Sequence, residues 1–176
     1  FEEETGKQIY VINGNHDAGK GEKEGETSLE DFREIYYEFG FSEALSTMEG
    51  NLSYTADLNE KYRLIAVDSC DINRSTGDGM TEDRVEWVIN EAEKALSDGK
   101  YPILMMHHNL LDHMPVQSVL SKDFIIRNHL SVAEKFANAG IKLVFTGHEH
   151  CSDANTYTST KGKQITDFAT TALTMY

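Results

Sequence analysis

Three short apolar runs in this sequence each stop in a burst of amide, imidazole and carboxylate side chains. Ile9-Tyr10-Val11-Ile12 runs into Asn13-Gly14-Asn15-His16-Asp17. Pro102–Met106 runs into His107-His108-Asn109, and Ile141–Phe145 into Thr146-Gly147-His148-Glu149-His150. Short apolar runs bounded this way read as buried strands. Open α/β sheets bind ligands beyond the carboxyl ends of their strands. Three such ends side by side would gather Asn15, His16, His107, His108, His148 and His150 in one pocket.

The segments between these runs supply the helices and the remaining strands. Leu29, Phe32, Ile35, Tyr36 and Phe39 fall at helical spacing, with Ser28 and Asp31 placed as a capping box. Residues 52–57 and 62–67 read as a strand pair around Leu58-Asn59-Glu60. Thr81 caps the clearest helix, Glu82 and Asp83 suit its positive end, and Gly99 follows its last turn. Val85, Val88, Ile89, Ala92 and Leu96 form its apolar stripe. Residues 101–106 are the next strand. Another helix ends at Ala139-Gly140, with Ser131 and Glu134 as its capping box. Residues 141–145 and 165–173 complete the strands. Alternating strands and helices predict an α/β layered sheet.

Composition narrows the function. The chain has 176 residues, the length of one domain, and a net charge of −14. Its apolar runs are far shorter than the ~20 residues that span a bilayer. An acidic chain is poorly suited to gripping a nucleic-acid backbone by charge. The first sixty residues hold fifteen acidic and four basic side chains, which reads as a solvated face. Two cysteines, Cys70 and Cys151, make no disulfide framework. Nothing in the sequence assigns a cellular location. The chain opens without Met, on an acidic stretch that reads as a helix end, so it is expected to be a fragment.

Imidazole and amide ligands together suit borderline divalent metals such as Mn, Fe and Zn. His148 and His150 flank one residue in a Gly-containing turn, so both rings can face one point. His107 and His108 are adjacent, and in extended backbone they point to opposite faces. Only one of them is therefore expected to ligate. His113 and His129 lack such a context and read as ordinary core or surface residues.

Gly14-Asn15-His16-Asp17, Met106-His107-His108 and Gly147-His148-Glu149-His150, in this order and each after an apolar strand, resemble the calcineurin-like metallophosphoesterase superfamily. The resemblance runs from about Ile9 to the end. It implies a layered αββα sandwich with its amino-terminal portion missing, and residues 1–176 as one incomplete domain. The family's D-x-H and G-D-x-x-D motifs, which supply a ligand pair and the carboxylate bridging two metals, have no match in Phe1–Gln8. The resemblance implies two divalent ions (Mn, Fe or Zn), with Asn15, His107 and His148 on one and His150 on the other. His16 would be the general acid and Asp17 would hold its tautomer. The reaction implied is hydrolysis of a phosphorylated small molecule or protein by a water activated between two metals. The family usually has Pro after the paired His; here Asn109-Leu110-Leu111-Asp112-His113 follows, expected as a rim loop. The chain alone is expected to bind metal weakly and be close to inactive.

Other readings fare worse. Gly14–Lys20 fits a P-loop, but Gly21 stands where the magnesium-binding hydroxyl belongs. His148–Asp153 misplaces the Asp of a metallo-β-lactamase motif, and HExxH is absent. A metal-binding or scaffold remnant that has lost catalysis is the alternative from a different class.

Overall fold

The computed structural model describes residues 6–19, 26–70 and 80–171. Four helices and seven strands lie within them. The capping box forms as read: Ser28 Oγ accepts from Asp31 N–H at 3.0 Å, and the Asp31 carboxylate accepts from Ser28 N–H at 3.0 Å. It starts α1 (Leu29–Ile35). The helix is shorter than its apolar spacing suggested, because a π-turn (Tyr37–Phe41) takes over and Gly40 turns to φ 116°. A Cβ there would collide with the Tyr54 ring, so only glycine fits.

β1 (Ser46–Thr47), β2 (Tyr54–Asp57) and β3 (Tyr62–Val67) pair antiparallel. Then come α2 (Glu82–Ser97), β4 (Tyr101–Met106), the single turn α3 (Gln117–Leu120) and α4 (His129–Asn138). β5 (Leu143–Thr146), β6 (Asp153–Thr158) and β7 (Gln164–Ala169) close the chain order. All seven strands form one mixed sheet in the order β1-β2-β3-β4-β5-β7-β6. The α/β class expected from the sequence holds. The described residues form one sheet; a second sheet of the expected sandwich is not among them.

The period-2 alternation of β3 sorts the core into two faces. Ile65 and Val67 meet Val85, Val88 and Ala92 of α2 and Val132 and Phe136 of α4 on one side. Leu64 and Ala66 meet Phe32 of α1, Phe41 and Tyr54 on the other. Further along this second face the sheet is more open: Phe145 of β5 stacks on Phe168 of β7 at 5.6 Å and is 38% exposed.

Several expected details change. Ile9–Ile12 is not a strand. Its Val11 N–H bonds to Phe39 O and its Val11 O accepts from Tyr54 Oη, so it lies as half-buried extended chain against the second core. Apolar content alone does not distinguish such a segment from a strand that has found a partner. In α2 it is Ala95, not Leu96, that is buried, and Leu96 is 41% exposed. The α4 box does not form. Asn128 is the N-cap position and Ser131 lies inside the helix, while Glu134 binds Thr160 and Tyr157. β6 was not foreseen, because Asp153–Thr158 is polar and almost wholly exposed at the sheet edge. The last strand stops at Ala169, and residues 172–173 of the expected strand lie outside the described residues.

Candidate metal centre

β3, β4 and β5 are parallel neighbours, so their carboxyl ends open on one edge of the sheet. β3 delivers Asp68 and Ser69 there, β4 delivers His107 and His108, and β5 delivers the turn 146–150. Gly147 N–H donates to His107 O at 3.0 Å and ties the last two together. The segment 13–17 reaches the same edge through Asp68. That buried carboxylate accepts from Asn13 Nδ2 at 3.0 Å, from Leu52 N–H and from Cys70 N–H.

The sequence expectations meet here. Gly14, Asn15, His16, Asp17, His107, Phe124, His148, Glu149 and His150 line one cavity of about 530 Å³. Asn15 is buried and its Oδ1 lies 3.0 Å from His107 Nε2. The rings of His107 and His148 pack with centroids 4.3 Å apart. His16 is exposed at the cavity mouth. His150 shares the cavity wall but is not one of the three imidazoles His107, His108 and His148, whose ligand atoms lie within 4.8 Å of one another. His148 and His150 both hold left-handed backbone, φ 63° and 54°, a conformation that costs non-glycine residues energy and often marks functional turns. Asp17 closes its own turn, its Oδ2 accepting from Gly14 N–H at 2.6 Å. That bond ties the carboxylate expected to orient His16 to the loop backbone.

Burial governs the electrostatics. It pushes the His107 pKa down to about 3, and the neighbouring imidazoles, His148 first, push the same way. Burial also lowers His108 to about 4, helped by His148, and lowers His148. The rings are therefore neutral at pH 7, the form that binds metal. Nε2 of His108 and Nε2 of His148 are buried without a hydrogen-bond partner. Such atoms normally find one. Neutral imidazoles with uncommitted nitrogens beside an amide oxygen are a donor set that fits a divalent transition ion.

The segment after the paired His is not a rim loop. Leu110 and Leu111 sink into the core. Asn109 is fully buried, donating to Thr146 Oγ1 at 2.8 Å and Gly147 O at 3.1 Å and accepting from Gln117 Nε2 at 2.8 Å. Gln117 also reaches Glu149 at 3.2 Å. Beneath this, Asp167 of β7 accepts from Leu110 N–H, Leu111 N–H and Thr146 Oγ1 at 2.8–2.9 Å. His113, fully buried, lies between Asp153 at 3.1 Å and Asp167 at 3.2 Å. His113 is thus a core residue, as its sequence context implied, but a paired one. The bracing roles of Asp68, Asn109, Gln117 and Asp167 were not read from the sequence. No short motif marks residues whose partners lie up to 57 positions away.

Gly14 shows how tightly the loop is set. A Cβ there would stand 2.9 Å from His107 Cε1 and 3.0 Å from Nδ1. Gly14→Ala must therefore displace a ring of the cluster. We expect a loss of metal affinity of about tenfold or more, by analogy with outer-shell lesions, at a stability cost of about 1–3 kcal/mol. Isothermal titration with Mn²⁺ or Zn²⁺ and urea unfolding measure the two effects.

With this geometry in place, comparison with protein families returns the calcineurin-like phosphoesterase model, matched over residues 1–152. The chain belongs to that family. The match ends just before β6, so the edge pair β6 and β7 lies outside it. A search of the curated proteins returns no match. Family membership makes metal-dependent phosphoester hydrolysis the general chemistry of this fold. No helix among the described residues is long and apolar enough to cross a membrane.

Proposed function

We propose that the protein hydrolyses a phosphate ester, with Asn15, His107 and His148 holding one divalent ion (Mn, Fe or Zn) and His150 contributing to a second. The observation that carries this reading is the 3.0 Å approach of Asn15 Oδ1 to His107 Nε2 beside the His148 ring. An amide oxygen and two imidazoles from three separate segments converge there. Ions bound there would supply Lewis acidity, activating water and neutralising charge on phosphoryl oxygens.

The chain's own residues do the rest. Asn15 and the two imidazoles fix the electrophilic side of the site, and the Asp68 and Asn109 networks hold their loops. His16, at the solvent-facing mouth, protonates the departing oxygen. Asp17 keeps the turn beneath His16 closed. No Ser or Cys is assigned as nucleophile. The substrate is a phosphorylated small molecule or protein. The chain's net charge of −14 disfavours a broad nucleic-acid footprint, while bound dications would make the pocket itself locally positive.

The test uses the full-length protein and p-nitrophenyl phosphate and bis-p-nitrophenyl phosphate as monoester and diester probes. At least one should be turned over with Mn²⁺ or a similar ion, and His148→Ala should remove both an ion and turnover. Turnover of neither probe by protein whose ions are bound would refute the reading.

A further inference from the structure

We propose that His108 is a third imidazole ligand, so that His107, His108 and His148 make a tri-imidazole site for a borderline divalent ion such as Zn²⁺ or Co²⁺. The inference rests on the metal-binding reading above and deepens it. In extended backbone, His108 would point away from His107. The strand ends at Met106, however, and the backbone turn folds both rings to one side. Ring centroids lie 5.1 Å apart for His107 and His108, 5.0 Å for His108 and His148, and 4.3 Å for His107 and His148.

His108 has the wiring of a ligand. Its side chain is fully buried. Nδ1 lies 2.9 Å from Ser69 Oγ, and the same oxygen accepts from His108 main-chain N–H at 3.1 Å. A hydroxyl can accept twice, so Nδ1–H can donate to it. In that tautomer Nε2 is deprotonated, and Nε2 is the atom without a partner. One ring nitrogen held by an outer hydrogen bond, with the other left without one, is how metal-bound histidines are usually set. An unpaired buried nitrogen is costly otherwise.

The spacing suits closure on an ion. The three ligand atoms lie within 4.8 Å of one another, and tetrahedral Zn–N bonds of ~2.0–2.1 Å would draw them in by up to about 1.5 Å. Three neutral nitrogen donors favour Zn²⁺ and Co²⁺ strongly over Mg²⁺ and Ca²⁺.

Zn²⁺ titrated into the metal-free full-length protein, followed by long-range ¹H–¹⁵N NMR of the imidazoles, reads the ligands directly. At one equivalent the rings of His107, His108 and His148 should shift together, with the change at His108 on Nε2. His108→Gln should weaken Zn²⁺ binding about a hundredfold and erode the preference over Mg²⁺. Ser69→Ala should weaken it about tenfold. If His107 and His148 shift while His108 does not, the tri-imidazole site is overturned and the phosphoesterase reading stands. If no imidazole responds to Zn²⁺, both fall. Should His108→Gln fail to fold, the wild-type spectra decide alone.

Discussion

Replacing His16 by alanine in the full-length protein should cut turnover by about a hundred- to ten-thousand-fold, the usual contribution of a positioned acid, and leave bound metal unchanged. The separation follows from placement. His16 is exposed at the cavity mouth, whereas the clustered imidazoles His107, His108 and His148 lie deeper. Its removal deletes none of the side chains proposed as ligands. The neighbouring Asn15 side chain is buried against His107, and the turn is closed by Asp17 and Gly14, so the loop should survive. Proton donation matters most for a poor leaving group. The loss should thus be severe with alkyl phosphates and milder with p-nitrophenyl esters. Steady-state kinetics on both, with metal counted by mass spectrometry, measures this. Full turnover of alkyl phosphates by the variant would remove His16 from the chemistry.

Asp167→Ala should be the most damaging change away from the cavity, destabilising the fold by about 3–5 kcal/mol. The carboxylate is fully buried and answers two main-chain N–H groups, the Thr146 hydroxyl and His113. Its removal leaves a buried imidazole and three donors without their partner. Urea unfolding measures the loss, and pH resolves its origin. Burial lowers the His113 pKa, but Asp167 and then Asp153 outweigh it and the net shift is upward. A raised pKa stabilises fully below the ordinary value near ~6.5 and loses that contribution as pH climbs through the folded value. His107 and His108, depressed to about 3 and about 4, act oppositely. Their contribution is present above ~6.5 and lost as pH falls toward those values. Wild-type stability should decline on both sides, and Asp167→Ala should flatten the alkaline slope alone. An unchanged alkaline slope in the variant would show that the pair does not carry it.

How far the sequence led depends on how local each signal was. The Ser28 and Asp31 cap, the Thr81 helix start and the β2–β3 pair are written within a few residues, and all form. The strand-end clusters are local too, and they converge on one cavity because β3, β4 and β5 are parallel neighbours. Ile9–Ile12 shows the limit: apolar content marks burial, while a strand also needs a partner across the ladder. His108 shows another, since alternation holds only while the backbone stays extended, and here it ends one residue too soon. β6 carried no apolar signal because its exposed side chains meet no core. Asp167 stabilises loops that lie 21 to 57 residues away, a relation only the folded chain displays.

If ions held by Asn15, His107 and His148 drive phosphoester hydrolysis, turnover must depend on them. The most direct measurement is turnover of the better p-nitrophenyl ester against ions bound per molecule, as chelated full-length protein is reloaded with Mn²⁺ or Zn²⁺. We expect no hydrolysis without metal and turnover that rises with occupancy until the site is full. Hydrolysis that persists after complete chelation, or a fully loaded protein that turns over no phosphoester, would contradict it.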